Sequence, residues 1–141
     1  MVALFDLVRN PATSDERGRV AEPTFQSQLA HVLALIGARA STTVLNEIGP
    51  LTQDSRSRAT AIEVIGAIGD PAGLHWLQPL INVRDLSDDE AGWLACALGD
   101  IGTPEAATLL ERLWAQTPPD RVSVHREIEI ARDAIARDSS A

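Results

Sequence analysis

The sequence predicts an all-α fold: an α-solenoid, or superhelix, of about three and a half helical hairpin repeats. Three observations predict it. The stretch Gly66-Ala-Ile-Gly-Asp-Pro-Ala72 is echoed by Gly99-Asp-Ile-Gly-Thr-Pro-Glu105, an offset of 33 residues. Apolar residues around both stretches recur at helical spacing and match across the same offset: Ile65 with Leu98, Ile68 with Ile101, Leu77 with Leu110, and Leu80 with Leu113. A fainter copy lies 32 residues upstream, pairing Leu33 with Ile65, Ile36 with Ile68, Gly37 with Gly69, Leu45 with Leu77 and Ile48 with Leu80. A fixed period of this length marks stacked repeats. One helix pair cannot bury both of its apolar faces, so neighbouring pairs share them.

Residues 1–22 are expected to form a short N-terminal helix and a loop, because 10–21 are polar and contain Gly and Pro. The repeat domain is expected over 23–137, in units of roughly 23–52, 53–85 and 86–118 and a half-unit over 119–137. In the second unit Asp54 is the expected N-cap, and Ala61, Ile62, Ile65 and Ile68 share one helical face. Gly69 takes the left-handed position that ends this helix. Asp70 then caps the partner helix, and Pro71 suits its first turn, where a missing N–H costs nothing. Leu74, Leu77, Leu80 and Ile81 form the second apolar face. Pro79 lies inside that helix, frees the carbonyl of His75, and is expected to kink or break it.

The third unit repeats this grammar. Ser87 and Glu90 form a capping box, Gly102 stops the first helix, Thr103 caps the second and Pro104 begins it. Asp54, Ser87 and Asp120 are spaced by 33, so Asp120 announces a fourth outer helix over about 121–137, with no partner helix after it.

Residues Ala67-Ile68-Gly69-Asp70-Pro71-Ala72, with Leu77, Leu80 and their third-unit copies, resemble HEAT-like repeats of the phycobilisome-lyase type. The resemblance covers about residues 23–137. It implies an outer A helix followed by an inner B helix that lines a concave surface. It also implies relatives that include chromophore-attachment factors and partner-binding scaffolds.

The chain has 141 residues and a formal net charge of −8. Phosphate surfaces require clustered cations, so this balance argues against nucleic acid and anionic membrane as partners. Every cation is arginine, which fits codon bias in a GC-rich genome, since the arginines are scattered. Cys96 is the single cysteine, so an internal disulfide is excluded and a reducing compartment suits the chain. No apolar run reads as a leader or a membrane span, and a cytoplasmic location is expected.

Helical geometry assigns the B-helix positions opposite the core to Thr43, Asn46 and Glu47, then His75, Gln78 and Asn82, then Thr108, Glu111 and Arg112. All are hydrogen-bonding types and form the expected partner-binding face. Trp93 is the second expected contact, either as an interface or homodimer anchor or as a cover for the N-terminal segment through Phe5 or Leu7. Trp76 and Trp114 fall where other repeats are apolar or small and are expected in the core.

His31, Glu63, Cys96 and Glu129 occupy equivalent outer positions. Packed helices stand about 8–10 Å apart, too far for such a column to hold one ion, so no metal is expected. The acidic run Asp85, Asp88, Asp89, Glu90 lacks the glycine and spaced glutamate of a calcium loop, and the helix dipole accounts for it. No phosphate loop, nucleophile elbow or paired-histidine motif is present in the sequence, and no cofactor is expected.

The leading expectation is a non-catalytic scaffold or adaptor that binds another protein. Its alternatives are a bilin lyase-like or chromophore-attachment subunit, from the resemblance, and an acidic inhibitor or immunity protein for a basic enzyme, from the charge.

Overall fold

The computed structural model describes residues 41–140. The expected N-terminal helix and loop, residues 23–40 of the first unit, and His31, Phe5 and Leu7 lie outside the described residues.

Helix α1 (Ser41–Ile48) runs into a 3₁₀ turn over Gly49–Gln53. Helix α2 (Arg58–Ile68) follows. A 3₁₀ turn (Pro71–Gly73), the short α3 (Leu74–Leu77) and a second 3₁₀ segment (Gln78–Asn82) make up its partner. Helices α4 (Asp88–Ile101) and α5 (Pro104–Gln116) form the next pair, and α6 (Val122–Ser140) packs beyond them. Every regular element among the described residues is helical.

The outer helices α2, α4 and α6 lie side by side, with α4 in the middle. The inner elements α1, α3 and α5 form a second layer: α3 meets the turn after α1, and α5 meets the 78–82 segment. Between the layers lie Ile62, Ile65, Leu77, Leu80, Leu94, Leu98, Leu110 and Ile128, all fully buried. The residues that match across the 33-residue offset are therefore mostly core, with Ile68 half-buried at its edge. Helix α6 contributes Val124, Ile128, Ala131 and Ile135, its one apolar stripe.

The repeated seven-residue stretch carries two kinds of glycine. Gly69 and Gly102 have φ of 72° and 70°, and their N–H groups donate to the carbonyls of Ile65 and Leu98. They are the left-handed caps expected. Asp70 and Thr103 then cap the following segments, accepting from the Ala72 and Ala106 N–H groups. The first glycine of each stretch does something else. A Cβ on Gly66 would lie 2.7 Å from Cα of Ala97, and one on Gly99 would lie 2.9 Å from Cβ of Ala131. These glycines let each outer helix approach the next repeat.

One helix start differs from expectation. Helix α2 begins at Arg58, after Ser57, and not at Asp54. Asp54 instead accepts from the Arg56 N–H within a turn. The Ser57 hydroxyl and the Arg58 Nε reach back to the carbonyls of Leu51 and Thr52, so these residues close the 3₁₀ turn before the helix opens. Helix α6 begins at Val122, with the Arg121 carbonyl accepting from the His125 N–H and Asp120 in the preceding turn. It runs past 137 to Ser140. Arg121 is drawn to Asp88 and to the Leu86 carbonyl of the preceding repeat. The 33-residue period thus survives at the corners and is lost at the start of α2.

Pro79 breaks the α-helix. Winding is α-helical only to Leu77, and the chain continues in tighter 3₁₀ form to Asn82. Leu80 and Ile81 stay buried despite the change. Trp76 and Trp114 pack against the core but are only partly buried, so they border it. The Trp76 indole lies over Gly49, where a Cβ would come within 2.2 Å of the ring. A large residue in one repeat therefore occupies space left by a small one in the neighbour.

Candidate functional site

On the inner layer, Asn46 and Glu47 on α1, His75 on α3, Gln78 and Asn82 beyond it, and Thr108 and Glu111 on α5 are exposed; Arg112 is half-buried. The structure brings only some of them together. Asn46 and His75 line one pocket of about 240 Å3 with Thr42, Leu45, Ala72 and Trp76. The His75 imidazole meets the Trp76 indole edge-on at 4.9 Å. These two residues are 29 apart in sequence, about one turn off the repeat spacing, as for side chains that meet across neighbouring helices.

Three of the other inner positions are engaged locally. Thr108 donates to the Pro104 carbonyl at 3.1 Å. Glu111 is held by Arg132 of α6 at 2.7 Å. Asn82 accepts from the Gln116 side-chain amide at 3.4 Å. Asn82 and Gln116 sit at the rim of a cleft of about 510 Å3 floored by Ile81, Leu86, Ala91 and Leu113. No periodic pattern marks this cleft in advance, because residues from two inter-helix connections form much of it.

Trp93 stands apart, on the outer layer. It is 38% exposed and lines a cleft of about 320 Å3 between α4 and α6, with Asp88, Asp89, Gly92, Cys96, Ser123 and Glu127. Of the outer column, Glu63, Cys96 and Glu129 lie within the described residues, one on each outer helix. The Cys96 thiol donates to Glu127 at 3.4 Å, and Glu129 points to solvent. Burial, and then the neighbouring Glu127 carboxylate, push the thiol up to about 11, so it is protonated and a poor nucleophile at neutral pH. Burial also raises Glu63. Among the described residues no three His, Cys, Asp or Glu side chains gather as a metal site.

The acidic run is used in packing. Glu90 completes the capping box with Ser87 and takes Arg58 of the preceding outer helix at 3.2 Å. Asp88 takes Arg121 from the following repeat. Unit three is thus clamped from both sides through the first turn of α4.

His125, which sequence reasoning passed over, borders Trp114. Its Nε2 lies 3.1 Å and 3.2 Å from the Thr117 and Pro118 carbonyls. Both are acceptors, so Nε2 carries the proton. Its ring meets Trp114 edge-on at 4.1 Å, and the Arg132 guanidinium lies 4.4 Å from the Trp114 ring centroid.

Antiparallel helix pairs, joined by glycine-capped corners and packed through a recurring apolar set, define a helical repeat protein. A family model described as HEAT repeats matches residues 52–127, more than half of the chain. The chain belongs to the HEAT-repeat family. The match does not extend to the phycobilisome-lyase type. No curated protein and no solved structure matches the chain. No described helix is long and apolar enough to cross a membrane.

Proposed function

We propose that the chain is a non-catalytic α-solenoid that binds another protein through the inner face of its B segments. The observation that carries the reading is the Asn46–His75 pocket, where two neighbouring repeats present open hydrogen-bonding groups around the half-buried Trp76. Aromatic surface flanked by polar groups is the composition that anchors protein interfaces. HEAT repeats are commonly interaction scaffolds, and the net charge of −8 favours a protein partner over nucleic acid. Gln78 and Asn82 extend this face, and Thr108, Glu111 and Arg112 continue it on α5.

The test is capture from native lysate on immobilised protein, comparing the wild type with Asn46→Ala/His75→Ala/Gln78→Ala. Proteins retained by the wild type should be lost from the triple variant while its circular dichroism is unchanged. Retention of the same proteins by both would remove the inner face as the binding surface.

A further inference from the structure

The α4–α6 cleft lies in the outer layer and plays no part in the inner-face reading. Its floor on α4 is Gly92, Trp93 and Cys96, and Trp93 is 38% exposed between the buried Ala91 and Leu94. Ser123 and Glu127 form the α6 wall, one turn apart. Helical spacing places Ile130, itself 50% exposed, next along that wall. Asp89 stands one turn before Trp93 on α4. The indole therefore shares the cleft with two carboxylates carried by different helices. Asp88, at the same mouth, is already paired with Arg121. The Cys96 thiol, protonated at neutral pH, donates to Glu127 and holds that carboxylate in the cleft without cancelling its charge.

Charge decides among the possible occupants. A second copy would meet this face through a two-fold, self-complementary interface. A contact centred on this cleft would bring two copies of the Asp89–Glu127 pair close together, in a chain of net charge −8. An apolar segment would strip water from both carboxylates and give them no partner. A guanidinium satisfies all three groups, because its plane stacks on an indole while its N–H fork reaches carboxylates on either side. We infer that the α4–α6 cleft is a docking site for a basic segment of a partner protein, with an arginine seated on Trp93 between Asp89 and Glu127.

The chain has three tryptophans, hence three indole N–H signals in a proton–nitrogen correlation spectrum; Trp93→Phe identifies one of them. The probes are acetyl-Gly-Arg-Gly-Arg-Gly-amide and its counterpart with glutamate in place of arginine. The arginine peptide should move the Trp93 signal to saturation, and the glutamate peptide should leave it in place. Asp89→Asn/Glu127→Gln should weaken arginine-peptide binding about tenfold, as should raising salt from about 50 to about 500 mM. Equal response to both peptides, no response to arginine, or undiminished affinity in the carboxylate variant would overturn the inference. So would a Trp93 signal that shifts with protein concentration alone, which would mark a dimer face. Each result leaves the inner-face triple variant to be judged by its own experiment.

Discussion

Two glycines in one short stretch do different work, and substitutions separate them. Gly69 adopts φ 72°, a region where a Cβ costs about 1–2 kcal/mol, so Gly69→Ala should lower stability by about that amount. Gly99 has ordinary helical backbone, but a Cβ there would press on Ala131 at 2.9 Å. Alanine at 99 would return about 1 kcal/mol of helix propensity, which partly offsets the clash. Gly99→Val is the cleaner test, with overpacking expected to cost about 1–3 kcal/mol in urea denaturation. A neutral Gly99→Val would mean that α4 and α6 do not pack as closely as described. Cys96 offers a chemical readout of its surroundings. With its thiol held near 11, alkylation by iodoacetamide at neutral pH should be slower than for an exposed cysteine. Glu127→Gln removes the carboxylate charge that helps raise the thiol and should shift the alkylation profile to lower pH.

At the scale of elements, α4 is set by its first turn. Ser87→Ala removes one half of the capping box and should cost about 1 kcal/mol by thermal or urea unfolding. Glu90 also binds Arg58, and both side chains are only 11% and 14% exposed, so a cycle of Arg58→Ala and Glu90→Ala should show coupling of about 1 kcal/mol or more. No coupling would reduce this contact to a surface pair. The same element shows what the sequence made legible. Gly102, Thr103, Pro104 and the Ser87/Glu90 box are read within a few residues, because φ angle, capping oxygen and ring geometry act locally. The start of α2 departs from Asp54 because distant carbonyls decide it: Leu51 and Thr52 hold Ser57 and Arg58. Exposure of the inner polar residues followed from 100° steps. Their grouping did not. The pairing of Asn46 with His75, and the cleft at Asn82 and Gln116, depend on how neighbouring segments and their connections pack, which helical spacing within one element does not encode.

Over the whole molecule, the carboxylates respond to pH in opposing directions. The Ala72 N–H, and then the Ser41 hydroxyl from the neighbouring repeat, hold Asp70 below the ordinary value of 3.8. Its contribution is complete above that value and is lost as pH falls through the depressed one. Burial raises Glu63 and Asp100. Their folded forms prefer the proton, so their contribution is complete below the ordinary values of 4.5 and 3.8 and is lost as pH rises through the raised ones. Self-repulsion adds to this second trend, because the chain carries −8 near neutrality and approaches zero net charge near pH 4.7. Stability measured by urea midpoint should therefore be higher at about pH 5 than at about pH 8, and should collapse only as the Asp70 carboxylate and the ion-paired acids take up protons below about pH 4. Glu63→Gln should raise the midpoint at neutral pH and leave it unchanged in acid, where wild-type Glu63 is already protonated. Asp70→Asn should lower the midpoint at neutral pH and converge on the wild type at the acid end. If the Glu63→Gln gain persisted equally at low pH, packing and not charge would be its source, and the neutral-pH deficit assigned here to buried carboxylates would be wrong.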